Sequence, residues 1–254
     1  MPEIRAMHVV ILAAGTGSRL RPLIGALPKA LLEVGGRTLI DRSVERLVRH
    51  GLASLTVVVG YGAEAFRPVL RALAPGVHIV ENAASEDTGS MRSLALAVEA
   101  WGGSCPDEVV VAEGDLLYGA DALGALSEAP PADATVLCST PTGAGDEVWV
   151  RGARGRVVAI GKRAAPHLPI LGELVGLTRI RREALHAMVA LHHAGGAATA
   201  MEHYEERLSA LAGTHDIRAC VVAGLAWAEI DDASHLARAE RDVLPRLEAA
   251  DAGG

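Results

Sequence analysis

Short Val-rich apolar runs alternate along this chain with longer stretches whose apolar residues recur every third or fourth position, the signature of strands alternating with amphipathic helices. The runs predict strands over 8–13, 55–59, 77–80, 107–112 and 134–139. The periodic stretches predict helices over 38–50, 64–73, 90–101 and 120–128, with Thr38 as a candidate N-cap and Gly51 closing that first helix. Such alternation implies an α/β fold, a three-layer sandwich around a mostly parallel central sheet. Beyond residue 146 the pattern changes, and 147–151, 157–160 and 173–180 read as strands with no helix between them. A small β-rich lid or acceptor-binding subregion over about 140–180 is therefore expected on the main sheet. Helices over 181–194 and 200–212, strands over 217–222 and 226–230, a terminal helix over 233–248 and a frayed tail over 249–254 complete the expectation. No internal repeat and no linker-like stretch interrupts the chain, so residues 1–254 read as a single domain.

Composition narrows this picture in three ways. Half of the residues are hydrophobic but only 3% are aromatic, so the core must be built from Val, Leu, Ile and Ala. No apolar run approaches the ~20 residues of a membrane span, and Met1–Arg5 leads almost directly into the first strand, leaving no room for a signal peptide. Cys105, Cys138 and Cys220 are far apart and form no CxxC pair, which favours a cytoplasmic protein without a zinc site. The net charge of −7 argues against a nucleic-acid partner, yet residues 1–50 hold 8 Lys/Arg against 4 Asp/Glu. That local excess suits a cleft that gathers polyphosphate; Arg42, Arg46 and Arg49, however, read as the solvated face of the 38–50 helix.

The chemistry concentrates just after the first strand, in Leu12-Ala-Ala-Gly-Thr-Gly-Ser-Arg-Leu-Arg-Pro-Leu23. Gly15 and Gly17 allow a tight turn that presents backbone N–H groups to phosphate oxygens, while Arg19, Arg21 and Lys29 bring cations to the same loop. Lys29 and Lys162 are the only lysines among 24 basic residues. Arginine fills the ordinary cationic positions, so these two ammonium groups stand out as candidates for approaching single oxygen atoms. Neither better-known phosphate motif fits: the third glycine of a dinucleotide fingerprint is replaced by Leu20, and no GxxxxGK[ST] occurs.

Three linked segments, Leu12–Leu23, Pro28-Lys29-Ala30-Leu31-Leu32 and Gly36-Arg37-Thr38-Leu39-Ile40-Asp41, resemble the nucleotidyltransferase superfamily that activates sugar phosphates and small phospho-compounds. The resemblance implies a Rossmann-like fold and assigns Leu12, Ala13, Ala14, Gly15, Thr16 and Gly17 to nucleotide binding. Glu113-Gly114-Asp115 follows an apolar strand, at the sheet edge where α/β proteins bind ligands, and resembles the family's metal-binding aspartate. Trp227-Ala228-Glu229-Ile230-Asp231 resembles its late W-x-E-I-D element. On this likeness Asp115 and Asp231 would hold Mg²⁺ with Glu229 in support, Glu113 would join the nucleotide site, and Asp232 would cap the following helix. Arg19 and Lys29 would stabilise the triphosphate, and Lys162 would meet the acceptor.

Base and acceptor rest on the stretch Glu81–Leu94, which is similar to the asparagine-bearing loop of bacterial phosphocholine and phosphonate cytidylyltransferases. Asn82, Gly89 and Ser90 are the corresponding nucleotide contacts, and CTP is the expected substrate. A quaternary ammonium acceptor calls for an aromatic cage, whereas this chain offers Trp149 alone in the lid and positive charge at Arg92, Lys162, Arg163 and His167. The expected acceptor is a small phosphonate: phosphonoformate, or 2-aminoethylphosphonate with Glu173 receiving the amine. The expected reaction is Mg²⁺-dependent transfer of CMP with release of pyrophosphate. Alternatives are a sugar-1-phosphate or phosphocholine nucleotidylyltransferase and, from another class, a non-catalytic nucleotide-sensing module. A homodimer is compatible with the apolar strands.

Overall fold

Strand β1 (Met7–Ala13) is buried along its length apart from the partly covered His8, which demands a helical layer on each face of the sheet. Its side chains alternate accordingly, with Val10 and Leu12 in one core and Val9, Ile11 and Ala13 in another. The computed structural model describes residues 7–253. The segment Met1–Arg5, on which the signal-peptide expectation rests, lies outside the described residues, as does Gly254.

After β1 come a one-turn helix α1 (Arg21–Ile24), a small hairpin of β2 (Glu33–Val34) and β3 (Arg37–Thr38), and α2 (Leu39–Arg49). Then follow β4 (Leu52–Val59), α3 (Ala63–Leu73), β5 (His78–Glu81), α4 (Ser90–Trp101), β6 (Glu108–Glu113), β7 (Leu116–Tyr118), α5 (Ala120–Glu128) and β8 (Ala134–Ser139). The remainder is β9 (Trp149–Ala153), β10 (Arg156–Gly161), β11 (Ile170–Arg181), α6 (Arg182–Gly195), α7 (Tyr204–Leu211), β12 (Ile217–Val222) and β13 (Trp227–Glu229). The chain closes with α8 (Ala233–Arg238), a π-helical turn over Ala239–Val243 and α9 (Leu244–Gly253).

These strands form a nine-stranded sheet in the order β5-β4-β1-β6-β11-β8-β12-β10-β9. Strands β5, β4, β1 and β6 are mutually parallel, and β12 runs parallel to β8, while β11 and β10 oppose their neighbours. The expected Rossmann-like α/β sandwich is thus present, with the antiparallel strand β11 set into its middle. On one face α4, α6 and α7 deliver Leu94, Met188 and Leu208 to the core that holds Val10; on the other α2, α3 and α5 deliver Val44, Phe66 and Leu123 to the core that holds Ile11. Each such side chain, once fully buried, contributes about 1.5–3 kcal/mol. A third cluster joins Leu20 and Val34 to Leu117, Ile230 and Val243, fixing the loop after β1 against the ribbon of β7 and β13.

Several expectations need correction. Arg42 and Arg46 do not solvate a helix face, since both are buried. The Arg42 guanidinium donates to the Val34 carbonyl at 2.7 Å, and that of Arg46 grips Asp251 through two bonds of 3.0 Å. That second contact also accounts for the tail, where 249–253 continue the helix α9 instead of fraying. The helix expected over 200–212 begins only at Tyr204, after a 3-10 turn at Gly196–Thr199. The lid strands are found at Trp149–Ala153, Arg156–Gly161 and Ile170–Arg181, hydrogen-bonded into the main sheet. Among the described residues no helix is long and apolar enough to cross a membrane.

Candidate active site

Two distant loops meet at the carboxyl ends of β1 and β6. The Gly114 amide donates to the Leu12 carbonyl at 2.9 Å, which sets Asp115 just beyond the end of β1. Strand β13 pairs antiparallel with β7, with Glu229 opposite Leu116, and the Ile230 amide donates to the Asp115 carbonyl at 3.2 Å. This short ribbon brings Asp231 beside Asp115, and the Asp232 side chain caps α8 by accepting from the amides of Ser234 and His235 at 2.8 and 3.0 Å.

Lys29, on the 3-10 turn Lys29–Leu31, ties the two loops together. Its ammonium donates to Asp115 Oδ2 at 2.6 Å and to Asp231 Oδ1, and Arg19 Nη2 pairs with Asp231 Oδ2 at 2.7 Å. The Lys29 side chain is 11% exposed and that of Arg19 59%, so one cation is embedded and the other sits at the rim. The loop between them turns at Gly17, whose φ of 58° lies in the left-handed region and whose Cα faces the Lys29 side chain. Gly15 needs no such conformation and borders open space along the cleft. Arg21 is turned aside, its guanidinium 5.4 Å from the centre of the Tyr61 ring.

Electrostatics divides the acidic groups. Burial works against the Lys29 charge, but Asp115 and Asp231 outweigh it and hold the ammonium protonated above its ordinary range. Burial likewise raises Asp231, yet Lys29 and Arg19 bring it below the usual carboxylate range. Glu229, without such a partner, is pushed up to about 8 by burial and then by Asp115 and Asp231. Glu113 is raised well above its ordinary value by burial, then by Glu229 and Asp115.

The carboxylates of Glu113, Asp115 and Glu229 offer oxygens within 4.8 Å of one another, and Asp115 Oδ1 is buried without a hydrogen-bond partner. An orphaned buried oxygen among hard ligands fits a divalent cation of the Mg²⁺ class. A second group, Asp146, Asp231 and His235, lies equally close together. There the Asp231 amide donates to His235 Nδ1 at 3.3 Å, while Asp146 reaches His235 Nε2 at 3.6 Å and Lys162 Nζ at 3.9 Å.

Glu113, Asp115, Glu229 and Asp231 open into a cleft of about 870 Å³. Of the residues expected from the sequence, Leu12, Ala14, Gly15, Arg19, Gly89, Ser90, Glu113, Asp115, Lys162, Glu229 and Asp231 line it. Gly89 has a structural reason to be glycine, because a Cβ there would collide with the backbone of Met201 and Glu202. Lys29 reaches the cleft only through Asp115 and Asp231, and Asn82, Arg92, Glu173 and Trp149 do not border it. Asn82 is buried and shapes the 82–88 loop, donating to Thr88 Oγ1 and Ser93 Oγ at 3.1 Å and accepting from the Ala84 amide at 3.1 Å. Arg92 pairs with Glu99 at 2.9 Å. Glu173 is buried and accepts from the amide and hydroxyl of Thr142 at 2.6 and 2.9 Å, and Trp149 lies opposite it across the β9–β11 pairing. Ala13, Thr16 and Gly17 do not border the cleft either.

The structure adds residues that no motif marks. His203, Glu205 and Glu206 reach the cleft wall from the start of α7, and Lys162 and Arg163 line the same cleft. Glu206 is spent on the His203 amide at 2.8 Å, within a capping box. Burial raises the Glu205 carboxyl above its ordinary range, and among the described residues no cationic side chain forms an ion pair with it. The local sequence signal, His203-x-x-Glu206, marks only a helix start.

With this geometry in view, the profile of the MobA-like NTP transferase domain matches residues 9–252. The chain belongs to the MobA-like NTP transferase domain family. Among relatives of this domain, the CMP-5'-(3-aminopropyl)phosphonate synthase of Streptomyces rubellomurinus is 33% identical over 142 residues, covering 55% of this chain and 22% of that protein. The choline-phosphate cytidylyltransferase of Streptococcus pneumoniae is 38% identical over 93 residues, covering 37% of this chain and 40% of that protein. The matches thus span well under half the length of these two relatives. In fold, the MobA-like chain is similar to the inositol-1-phosphate CTP transferase of T. maritima, with a TM-score of 0.79 at 20% identity, covering 94% of this chain and 98% of the other.

Proposed function

We propose that the protein transfers CMP from CTP to a small aminoalkylphosphonate, with release of pyrophosphate. The observation that carries this proposal is the embedded Lys29 ammonium joining Asp115 to Asp231 at the end of β1, with Arg19 at the rim of the same cleft. The acceptor oxygen is already anionic, so no protein nucleophile is required. The obstacle is repulsion between two anions, about 4 kcal/mol for unit charges 4 Å apart at an effective dielectric of 20. Lys29 would offset charge around the α-phosphate, while Arg19 and the amides of 15–17 would hold the outer phosphates. Asp115, Asp231 and Glu229 would hold Mg²⁺, whose chemistry when bound is to neutralise phosphoryl oxygens. Lys162, 58% exposed and 3.9 Å from Asp146, would orient the acceptor. Cytidine is favoured by the likeness of the 81–94 loop to cytidylyltransferases and by the similarity to the CMP-5'-(3-aminopropyl)phosphonate synthase and the choline-phosphate cytidylyltransferase.

The choice of acceptor departs from the sequence reading. Positive charge in the sequence favours phosphonoformate, but Arg92 is committed to Glu99 and His167 does not border the cleft. Glu205 lines the same cleft as Lys162 and Arg163, which suits a phosphonate bearing an ammonium group at its far end. The test is pyrophosphate release with CTP and Mg²⁺, offering 2-aminoethylphosphonate, 3-aminopropylphosphonate, phosphonoformate, phosphocholine and a hexose 1-phosphate separately. Fastest turnover is expected with an aminoalkylphosphonate. Fastest turnover with phosphonoformate would overturn the acceptor, turnover with the sugar phosphate alone would replace the reaction by sugar activation, and CTP binding without turnover of any acceptor would favour a sensing module.

A further inference from the structure

The cations in this cleft are arranged around the same oxygens that a divalent ion would use. Asp231 Oδ1 is taken by Lys29 and Oδ2 by Arg19, and Asp115 Oδ2 is also taken by Lys29; of these four oxygens only Asp115 Oδ1 lacks a partner. A divalent cation bound by both aspartates must therefore take an Asp231 oxygen from Lys29 or from Arg19, and Lys29, only 11% exposed, has little solvent to retreat into. Were the ammonium to stay, the incoming ion would lie beside a like charge in a poorly solvated place. Arg19 differs, being 59% exposed and able to swing outward.

We infer that Lys29 and Arg19 act as built-in counter-cations that suppress metal binding to Asp115 and Asp231 until a triphosphate draws them away, so that metal and nucleotide enter as one unit. A triphosphate carries more negative charge than one divalent ion neutralises, and it gives both cations new anionic partners as the aspartates are released. By linkage, whatever factor the nucleotide adds to metal affinity the metal adds to nucleotide affinity. The second half of this inference rests on the cleft being a triphosphate site; the first half, suppression by Lys29 and Arg19, does not.

The test uses Mn²⁺, which shares the oxygen-ligand preference of Mg²⁺, with the free ion counted by electron paramagnetic resonance during titration of the full chain. Without nucleotide, Lys29→Met should bind Mn²⁺ at least about tenfold more tightly than the wild type, and Arg19→Ala about threefold, since each removes a like charge close to the ion. Adding Asp115→Asn to Lys29→Met should abolish the gain, which places the ion at the aspartates. For the wild type, a non-hydrolysable CTP analogue should raise Mn²⁺ affinity beyond that of the analogue alone. Arg19 is exposed enough for its replacement to spare folding, so it keeps the test decisive if Lys29→Met proves unstable. Equal nucleotide-free Mn²⁺ affinity in the wild type and both variants would overturn the inference. A gain in the variants with no effect of the CTP analogue would uphold the counter-cations and overturn the triphosphate assignment instead.

Discussion

The paired carboxylates of the cleft and the unpaired ones on its wall are the same chemical group in opposite electrostatic states. In the paired set, Asp231 is surrounded by Lys29 and Arg19 and lies below its ordinary pKa. On the wall, Glu229 is pushed up to about 8, and burial raises Glu113 and Glu205 as well. Burial opposes ionisation at every one of these groups. The difference is made by which carboxylates a basic side chain reaches. The paired set is suited to fixed charge that can exchange partners, and the wall to groups that accept a cation from a ligand or hold a proton.

The largest effect should come from removing a charge from the paired set. Asp115→Asn is nearly isosteric, yet it deprives Lys29 of one of its two carboxylates and removes a proposed metal ligand. Turnover should fall on the order of 10³-fold with every acceptor, while thermal unfolding changes little. A loss confined to one acceptor would move Asp115 from the nucleotide half of the cleft to the acceptor half. Next in size is the wall: Glu205→Gln should raise KM for an aminoalkylphosphonate by about 10- to 100-fold, the worth of a charged hydrogen bond of ~1.5–3 kcal/mol. KM for CTP should stay constant, and steady-state kinetics in both substrates separates the two.

Glu229 sharpens the contrast through pH. Its folded pKa of about 8 lies above the ordinary 4.5, so between those values the folded protein retains a proton that the unfolded chain has lost. Stability from this group is complete below the lower value and is lost as pH rises through the upper one. Glu229→Gln, which mimics the protonated form, should therefore match the wild type near pH 5 and exceed it on the order of 2 kcal/mol near pH 9 in urea unfolding. Parallel curves at both pH values would show that Glu229 ionises in the folded protein as readily as in the unfolded chain.

The same contrast explains how much could be read from the chain alone. The loop after β1 is contiguous, and the apolar run before it announces a buried strand, so Arg19 and Lys29 stand out together. Asp115 and Asp231 are far apart, but each closely follows a strand, so their motifs survive separation. Glu205 and Asp146 have no such marker: they meet Lys162 because α7 and the segment before β9 fold against the same edge, a product of long-range topology. Asn82, Arg92 and Glu173 illustrate the converse, since each is polar and close in sequence to the expected site, yet each is consumed by a neighbouring donor or acceptor. The three-residue strands β7 and β13 are too short to yield a period, although they stitch the acidic loops together.

Asp232 provides the smallest and cleanest test, because its low pKa owes nothing to a lysine or arginine pair in the cleft. Hydrogen bonds from Ser234, then from the His235 amide, lower it to about 2 from an ordinary 3.8. The bonds run from Ser234 N at 2.8 Å, Ser234 Oγ at 2.6 Å and His235 N at 3.0 Å, which makes Asp232 the N-cap of α8 directly beside Asp231. Asp232→Ala should cost about 1 kcal/mol near neutral pH, whereas Asp232→Asn, which still caps, should cost only a few tenths. The folded pKa is depressed, so the charge-dependent part is present above the ordinary value and disappears as pH falls through about 2. Urea unfolding of all three proteins at neutral pH and in acid should find the wild type and Asp232→Asn converging in acid, with Asp232→Ala remaining below both. If the wild type and Asp232→Asn instead stay equally far apart at both pH values, packing of the cap and not its charge holds α8 in place, and the distinction between paired and unpaired carboxylates stops at the rim of the cleft.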